Sequence, residues 1–218
     1  ILDIFPGTAL YDDFRKRQAV TDDVWLQRIE DILYFETDSR LSADAVLAFG
    51  RTLRNAFYAA LPGYVADVEL VGRREFYPLH ADFCSRLAMT FDYGDYAAVE
   101  AIGDRAGIAE RLYRRSLTYY PDARAGLGLG ILLQKAGRYE DSLEVLKQVL
   151  DHFPDHPQLN ICAALSLMNL GHPRSALAHL LPFDRDAGAL QMIVDCHRTL
   201  GEHAAADRFN ERLCNLHS

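Results

Sequence analysis

Between Ala123 and Pro154 the apolar positions recur at three- and four-residue steps twice over, with a glycine between the two runs. Leu127, Leu129, Ile131, Leu132 and Leu133 belong to the first run, Arg124 to Lys135; Leu143, Leu146, Val149 and Leu150 share one face of the second, which Pro154 ends. This spacing predicts two antiparallel amphipathic helices. Gly137 provides the left-handed stop between them, and Tyr139 packs into the corner. Glu140 and Asp141 fall in the first turn of the second helix, where carboxylates favour the dipole. Gly126, Gly128 and Gly130 leave room for another helix to approach closely. A hairpin of this kind leaves two apolar faces uncovered, so it predicts neighbours of the same construction.

The pattern does continue. Gly171 follows Gly137 by 34 residues and Gly201 follows Gly171 by 30, each just after an apolar helix. The second helices then carry Ala176, Leu177 and Leu180 in one case and Ala205, Ala206, Phe209 and Leu213 in the other, with Pro182 shortening the former. Arg208 to Ser218 is more polar, as a terminal capping helix should be. Upstream, Phe83, Leu87 and Phe91 lie on one face of a helix that starts at Leu79 and stops at Tyr93-Gly94-Asp95. Val99, Ile102, Ala106, Ala109, Tyr113, Ser116 and Tyr120 then step by three and four without interruption. They predict one long helix over 95–119, or two shorter ones broken at Gly103-Asp104. The count is three hairpins plus a degenerate one from Leu79 to Pro121.

The first 78 residues read differently. Ile1 to Phe5 is an almost wholly apolar run ending at Pro6-Gly7, which fits a buried strand severed from its sheet. Thr8 caps a short helix with Leu10, Tyr11 and Phe14; Thr21 caps a second with Trp25, Ile29, Ile32 and Leu33. Ser42 opens a third, with Val46, Phe49, Leu53, Phe57 and Ala60 on one face, closed by Leu61-Pro62-Gly63. The stretch 65–70 is an edge strand or a connecting loop.

Leu129-Gly130, Leu133, Gly137, Ser142, Leu146 and Pro154 together resemble a tetratricopeptide repeat (TPR), and Ala109, Tyr113, Ser116 and Pro121 resemble the second half of another. The resemblance implies an all-α fold: an α-solenoid of TPR-like helical hairpins over 79–218, preceded by a smaller helical region over 1–78. It also implies a concave groove for a protein or peptide partner, lined here by Arg124, Leu127, Ile131, Gln134, Gln158, Ile161, Leu165 and Met168. That set is mostly apolar and lacks the Asn and Lys or Arg with which some repeats of this family grip a terminal carboxylate. The groove either takes an apolar helix or strand, or is filled by the chain's own N-terminal helices, since Trp25, Phe49, Phe57 and Tyr58 need cover.

IFPGTALYDDFRKR followed by DDVWLQRIEDILYF resembles the region just after the barrel of cobalamin-type radical S-adenosylmethionine (SAM) enzymes, the Fe–S oxidoreductase group. This resemblance implies a parent whose 4Fe–4S cluster, SAM and cobalamin are bound upstream of Ile1, none of them in this chain. The chain opens at Ile1 without a Met, a basic n-region or a cleavage pattern, and is read as a piece of a longer protein.

Composition narrows the rest. A net charge of −8 argues against nucleic acid or an anionic membrane as partner, and no apolar run approaches membrane-spanning length. Cys84, Cys162, Cys196 and Cys214 stand far apart without a CxxC, which favours a reducing cytoplasm and leaves no iron–sulfur site. Cys196, His197, Cys214 and His217 offer zinc-type ligands, but adjacent residues diverge by about 100° on a helix, and inert buried cysteines are the better reading. Glu30, Asp31, Glu36 and Asp38 flank Tyr34-Phe35 without a Ser-His-Asp set, a phosphate loop or HExxH, and read as a solvated face. No catalytic, cofactor-binding or metal residue is assigned. The expected function is the non-catalytic, partner-recruiting C-terminal portion of a radical SAM protein, with a homodimer through the exposed N-terminal edge. The alternative is a free-standing TPR adapter, and a third reading is a self-contained enzyme around Glu30 to Asp38.

Overall fold

A computed structural model describes residues 7–19, 21–23 and 42–216. Ten α-helices are found among them: α1 Ala9–Gln18, α2 Ala43–Ala66, α3 Tyr77–Asp92, α4 Arg105–Tyr119, α5 Ala123–Lys135, α6 Tyr139–Leu150, α7 Pro157–Asn169, α8 Pro173–Leu180, α9 Ala187–Thr199 and α10 His203–Leu216. The described residues hold no strand. The chain divides into two compact units, Ile1–Phe57 and Tyr58–Ser218. Ile1 to Phe5, Trp25 to Leu33 and the carboxylates from Glu30 to Asp38 lie outside the described residues, and with them the N-terminal edge expected to dimerise.

In the first unit Gly7 adopts a left-handed φ of 84° and Thr8 accepts a hydrogen bond from the Tyr11 amide, opening α1 as its sequence predicts. Phe49 is 64% exposed and Phe57 50%.

The second unit is built from α3–α4, α5–α6, α7–α8 and α9–α10, each pair antiparallel and packed on the next. The construction is local. Asp122, His156 and Asp186 each cap a first helix by accepting from the amide three residues on, at 2.9, 3.4 and 2.9 Å. Gly137, Gly171 and Gly201 end those helices at φ 72°, 78° and 73°. The following amides of Arg138, His172 and Glu202 reach back to the carbonyls of Leu133, Leu167 and His197, the same Schellman turn three times. α8 stops at Leu180 and passes into a 3₁₀ turn, Leu181–Phe183, around Pro182, which accounts for the shorter last spacing.

Two apolar clusters fill the stack. One joins Phe91, Ile102, Ile108, Leu112 and Tyr113 to Leu129 and Leu133, and Leu61 of α2 is part of it. The other joins Leu146, Leu159, Leu167, Leu180 and Ile193. Small residues set the spacing between helices: Ser116 Oγ donates to the Ala81 carbonyl and Ser142 Oγ to that of Gly130.

Two local readings are corrected, and one left open is decided. The long helix over 95–119 is α4 alone, starting at Arg105. Residues before it make successive short turns, Ala97 N to Gly94 O, Val99 N to Tyr96 O and Ile102 N to Val99 O, which keep a three-residue apolar step without helix. Asp104, at φ 46°, caps α4 by accepting from Gly107 N. Second, α2 runs through Pro62 to Ala66, because Leu61 is buried and Tyr58 and Val65 pack beside it, offsetting the lost hydrogen bond. Third, 67–73 is a loop, tied down where Arg115 donates to the Val68 carbonyl and His80 Nε2 meets that of Val71.

Candidate functional site

The first helices α3, α5, α7 and α9 pack side by side. Counting from the caps at 122, 156 and 186, Ile131, Leu165 and Asp195 occupy one register, and Leu127, Ile161 and Gln191 another. The eight predicted groove residues therefore form two adjoining rows on α5 and α7, but they are put to different uses.

Ile131 and Leu165 are exposed at 37% and 40%, and Gln158 is exposed beside them. Leu127, Ile161 and Met168 are half-buried against the second apolar cluster. Gln134 is turned inward: its Nε2 donates to the Cys162 carbonyl and to Ser166 Oγ, both at 2.7 Å, and Ser166 donates on to Ser142. It ties α5 to α7 and α6. Arg124 donates to Asp82 Oδ1 at 2.8 Å and to Ser85 Oγ at 3.3 Å. Hydrogen bonds from Arg124 and then Arg86 hold the Asp82 carboxyl below its usual range, and the Asp82 bond raises Arg124 in return.

Two flanking groups escaped the sequence reading. On α3, Asp82, Ser85 and Arg86 close one side of the apolar rows. On α9, Asp195 accepts from Gln191 at 3.2 Å and pairs with Arg198 at 3.8 Å on the other. The repeat of the caps at 156 and 186 was the signal for the α9 group; nothing local marks the α3 group. The surface is an apolar strip bracketed by two internally neutralised polar clusters, a shape suited to burying the apolar face of another chain.

The cysteines are not assembled. Cys84, Cys162 and Cys196 are buried and Cys214 is exposed, all as free thiols. Burial pushes Cys162 and Cys196 up to about 11. His197 stacks on Phe209 and meets Glu202 Oε2 at 2.7 Å, and His217 lies outside the described residues. Among the described residues no group of three or more His, Cys, Asp or Glu could hold a metal ion, and no helix is long and apolar enough to cross a membrane.

Four stacked hairpins with recurrent caps and left-handed turns define a TPR-like α-solenoid. No protein-family model matches the chain, and no curated protein does. Solved structures do match. A structure of MamA AMB-1 is similar with a TM-score of 0.52 at 17% identity, over 79% of this chain and 95% of that one. A structure of MamA MSR-1 aligns with a TM-score of 0.46 at 16% identity, over 75% and 97%. At this identity the likeness to MamA AMB-1 bears on the fold.

Proposed function

We propose that the second unit binds a protein or peptide through the strip on α5 and α7. One observation carries this: Ile131 and Leu165 stand exposed in the same register of adjacent helices, above half-buried Leu127, Ile161 and Met168. Changing Ile131→Asp together with Leu165→Asp places two charges on that strip without touching the core. The double variant keeps its helical circular dichroism and melts within a few degrees of the parent, while proteins retained from native extract by the parent fall by roughly 100-fold. An unchanged retained set would overturn the reading. Leu127→Asp is no substitute, because Leu127 packs against the core and a charge there is expected to cost stability as well as binding.

The finer reading keeps the radical SAM parent: a cytoplasmic protein in which this chain recruits the partner and a preceding region binds the 4Fe–4S cluster, SAM and cobalamin. What supports it is the sequence after Ile1, together with the Gly7–Thr8 turn that opens α1. An antibody against this chain decides it. A native product several hundred residues longer, carrying iron, supports the parent; a product of this length without iron leaves a free-standing adapter.

A further inference from the structure

Ile131, Leu165 and Asp195 follow the caps at 122, 156 and 186 by the same number of residues, one on each of three first helices packed side by side. The row they form crosses the helices and reads apolar, apolar, acidic. Helices in contact stand about 8–10 Å apart, which sets the interval along the row. A chain laid on it must return a side chain to the same face at that interval. A β-strand does so after two residues, about 6.6 Å, which falls short. An α-helix is about 10–12 Å across, wider than a single exposed row whose neighbours Leu127, Ile161 and Met168 are half-buried. Polyproline II, with three residues per turn and a rise of about 3.1 Å, returns to one face after about 9.3 Å. Only the last fits both the interval and the width.

The polar clusters at the two ends of the row are not equally committed. Asp82 on α3 accepts from Arg124 at 2.8 Å and from Arg86 at 2.9 and 3.0 Å, two guanidinium groups in direct contact. Asp195 on α9 accepts from the neutral Gln191 amide at 3.2 and 3.3 Å, while Arg198 stays at 3.8 Å. Both members of that ion pair are about half exposed, and a pair so placed contributes little. A cation brought by a ligand can therefore take the place of Arg198 at Asp195, whereas Asp82 is already occupied.

We propose, resting on the strip as the binding surface, that its ligand is a protein segment in polyproline II conformation carrying two apolar side chains three residues apart and a lysine or arginine three residues beyond them. The apolar pair covers Ile131 and Leu165, and the cation meets Asp195. Such a segment has no internal main-chain hydrogen bonds to break and is already extended, so little ordering is needed on binding.

A display library of random peptides of about twelve residues, four polyproline turns, selected on the full chain, tests this. Recovered peptides should align on an apolar pair at a spacing of three, with Lys or Arg three residues further at one end. Against Asp195→Lys the apolar pair should persist while the third position turns to Asp or Glu; against Asp195→Asn that position should lose its preference. The best parent peptide should bind Asp195→Lys at least about tenfold more weakly. The net charge of −8 attracts basic peptides in general, so Lys and Arg spread evenly over all positions would overturn the proposal. An apolar pair at the seven-residue spacing of a helix, or a cation preference unchanged in Asp195→Lys, would also overturn it, and both leave the strip as the binding surface. The strip fails separately: Ile131→Asp with Leu165→Asp should recover no apolar pair, and recovery of the parent's peptides by that variant sinks both readings.

Discussion

Gly128→Ala is expected to destabilise the protein by roughly 2–3 kcal/mol, the largest effect of any single methyl added to α5. A Cβ at this position would sit 2.4 Å from Cζ of Tyr113 and 2.6 Å from its hydroxyl. Tyr113 has no exposed surface and cannot retreat. Its hydroxyl donates to Asp92 at 3.4 Å, and Asp92, nearly buried, lies 3.5 Å from Lys135 back on α5. The ring is thus pinned from α3 and α5 as well as from its own helix. Replacing a helical glycine by alanine gains about 1 kcal/mol in propensity, too little to offset a displaced aromatic core.

The neighbouring glycines supply the internal control. A Cβ at Gly126 meets the methyls of Val149 at 2.7 and 2.9 Å, and β-branching leaves that side chain little freedom. At Gly130 the nearest atoms are Cδ2, Cγ and Cδ1 of Leu146 at 2.9, 3.0 and 3.1 Å, a buried side chain but one not branched at Cβ. Urea denaturation should rank the three substitutions 128, 126, 130 in order of cost, with Gly130→Ala the mildest. A neutral or stabilising Gly128→Ala would mean that α4 and α5 do not approach as closely as described.

The second large effect is expected from Asn160→Leu, which keeps the volume and removes the amide. The Pro154 carbonyl loses its side-chain donor and the Nδ1–H of His179 loses its acceptor, while the His156 carbonyl keeps the backbone amide of residue 160. Buried groups left without partners cost about 1–3 kcal/mol each, less where water can reach them. The connection is half open to solvent, so the sum should be about 2–4 kcal/mol by urea denaturation. Asn169→Leu is the matched control. Its amide also donates to a carbonyl, that of Leu165, but on an exposed surface, and its loss should change stability by no more than about 0.5 kcal/mol. Equal effects at the two positions would show that the Asn160 side-chain hydrogen bonds contribute nothing.

The α5–α6 hairpin was legible almost residue by residue because its determinants are close in sequence. An aspartate three residues before an amide, a glycine that adopts positive φ, and apolar steps of three and four act within a single turn or two. The segment 94–104 defeated the same reading for a physical reason. Consecutive three-residue turns bring Val99 and Ile102 inward at a spacing that helix also produces, and periodicity does not distinguish them. Pro62 misled in the opposite sense, since a local helix breaker yielded to the burial of Leu61 in the cluster with Phe91 and Leu129.

The candidate strip shows the same division. Its rows on α5 and α7 follow from the repeat, so Ile131 and Leu165 could be placed from sequence. Gln134 looked equally available, yet it is consumed by Cys162 and Ser166, and Arg124 is neutralised by Asp82, 42 residues away. No pattern within a helix announces such partners.

By itself, then, the sequence determined the hairpins, their turns, their number and the register of their inner rows, because these are settled by hydrogen bonds and side-chain steps within one turn of each residue. The tertiary structure alone decided which members of those rows stay free to bind, which glycine tolerates no methyl, and that His179 meets Asn160. Each of those outcomes depends on the shape and charge of helices brought together from distant parts of the chain.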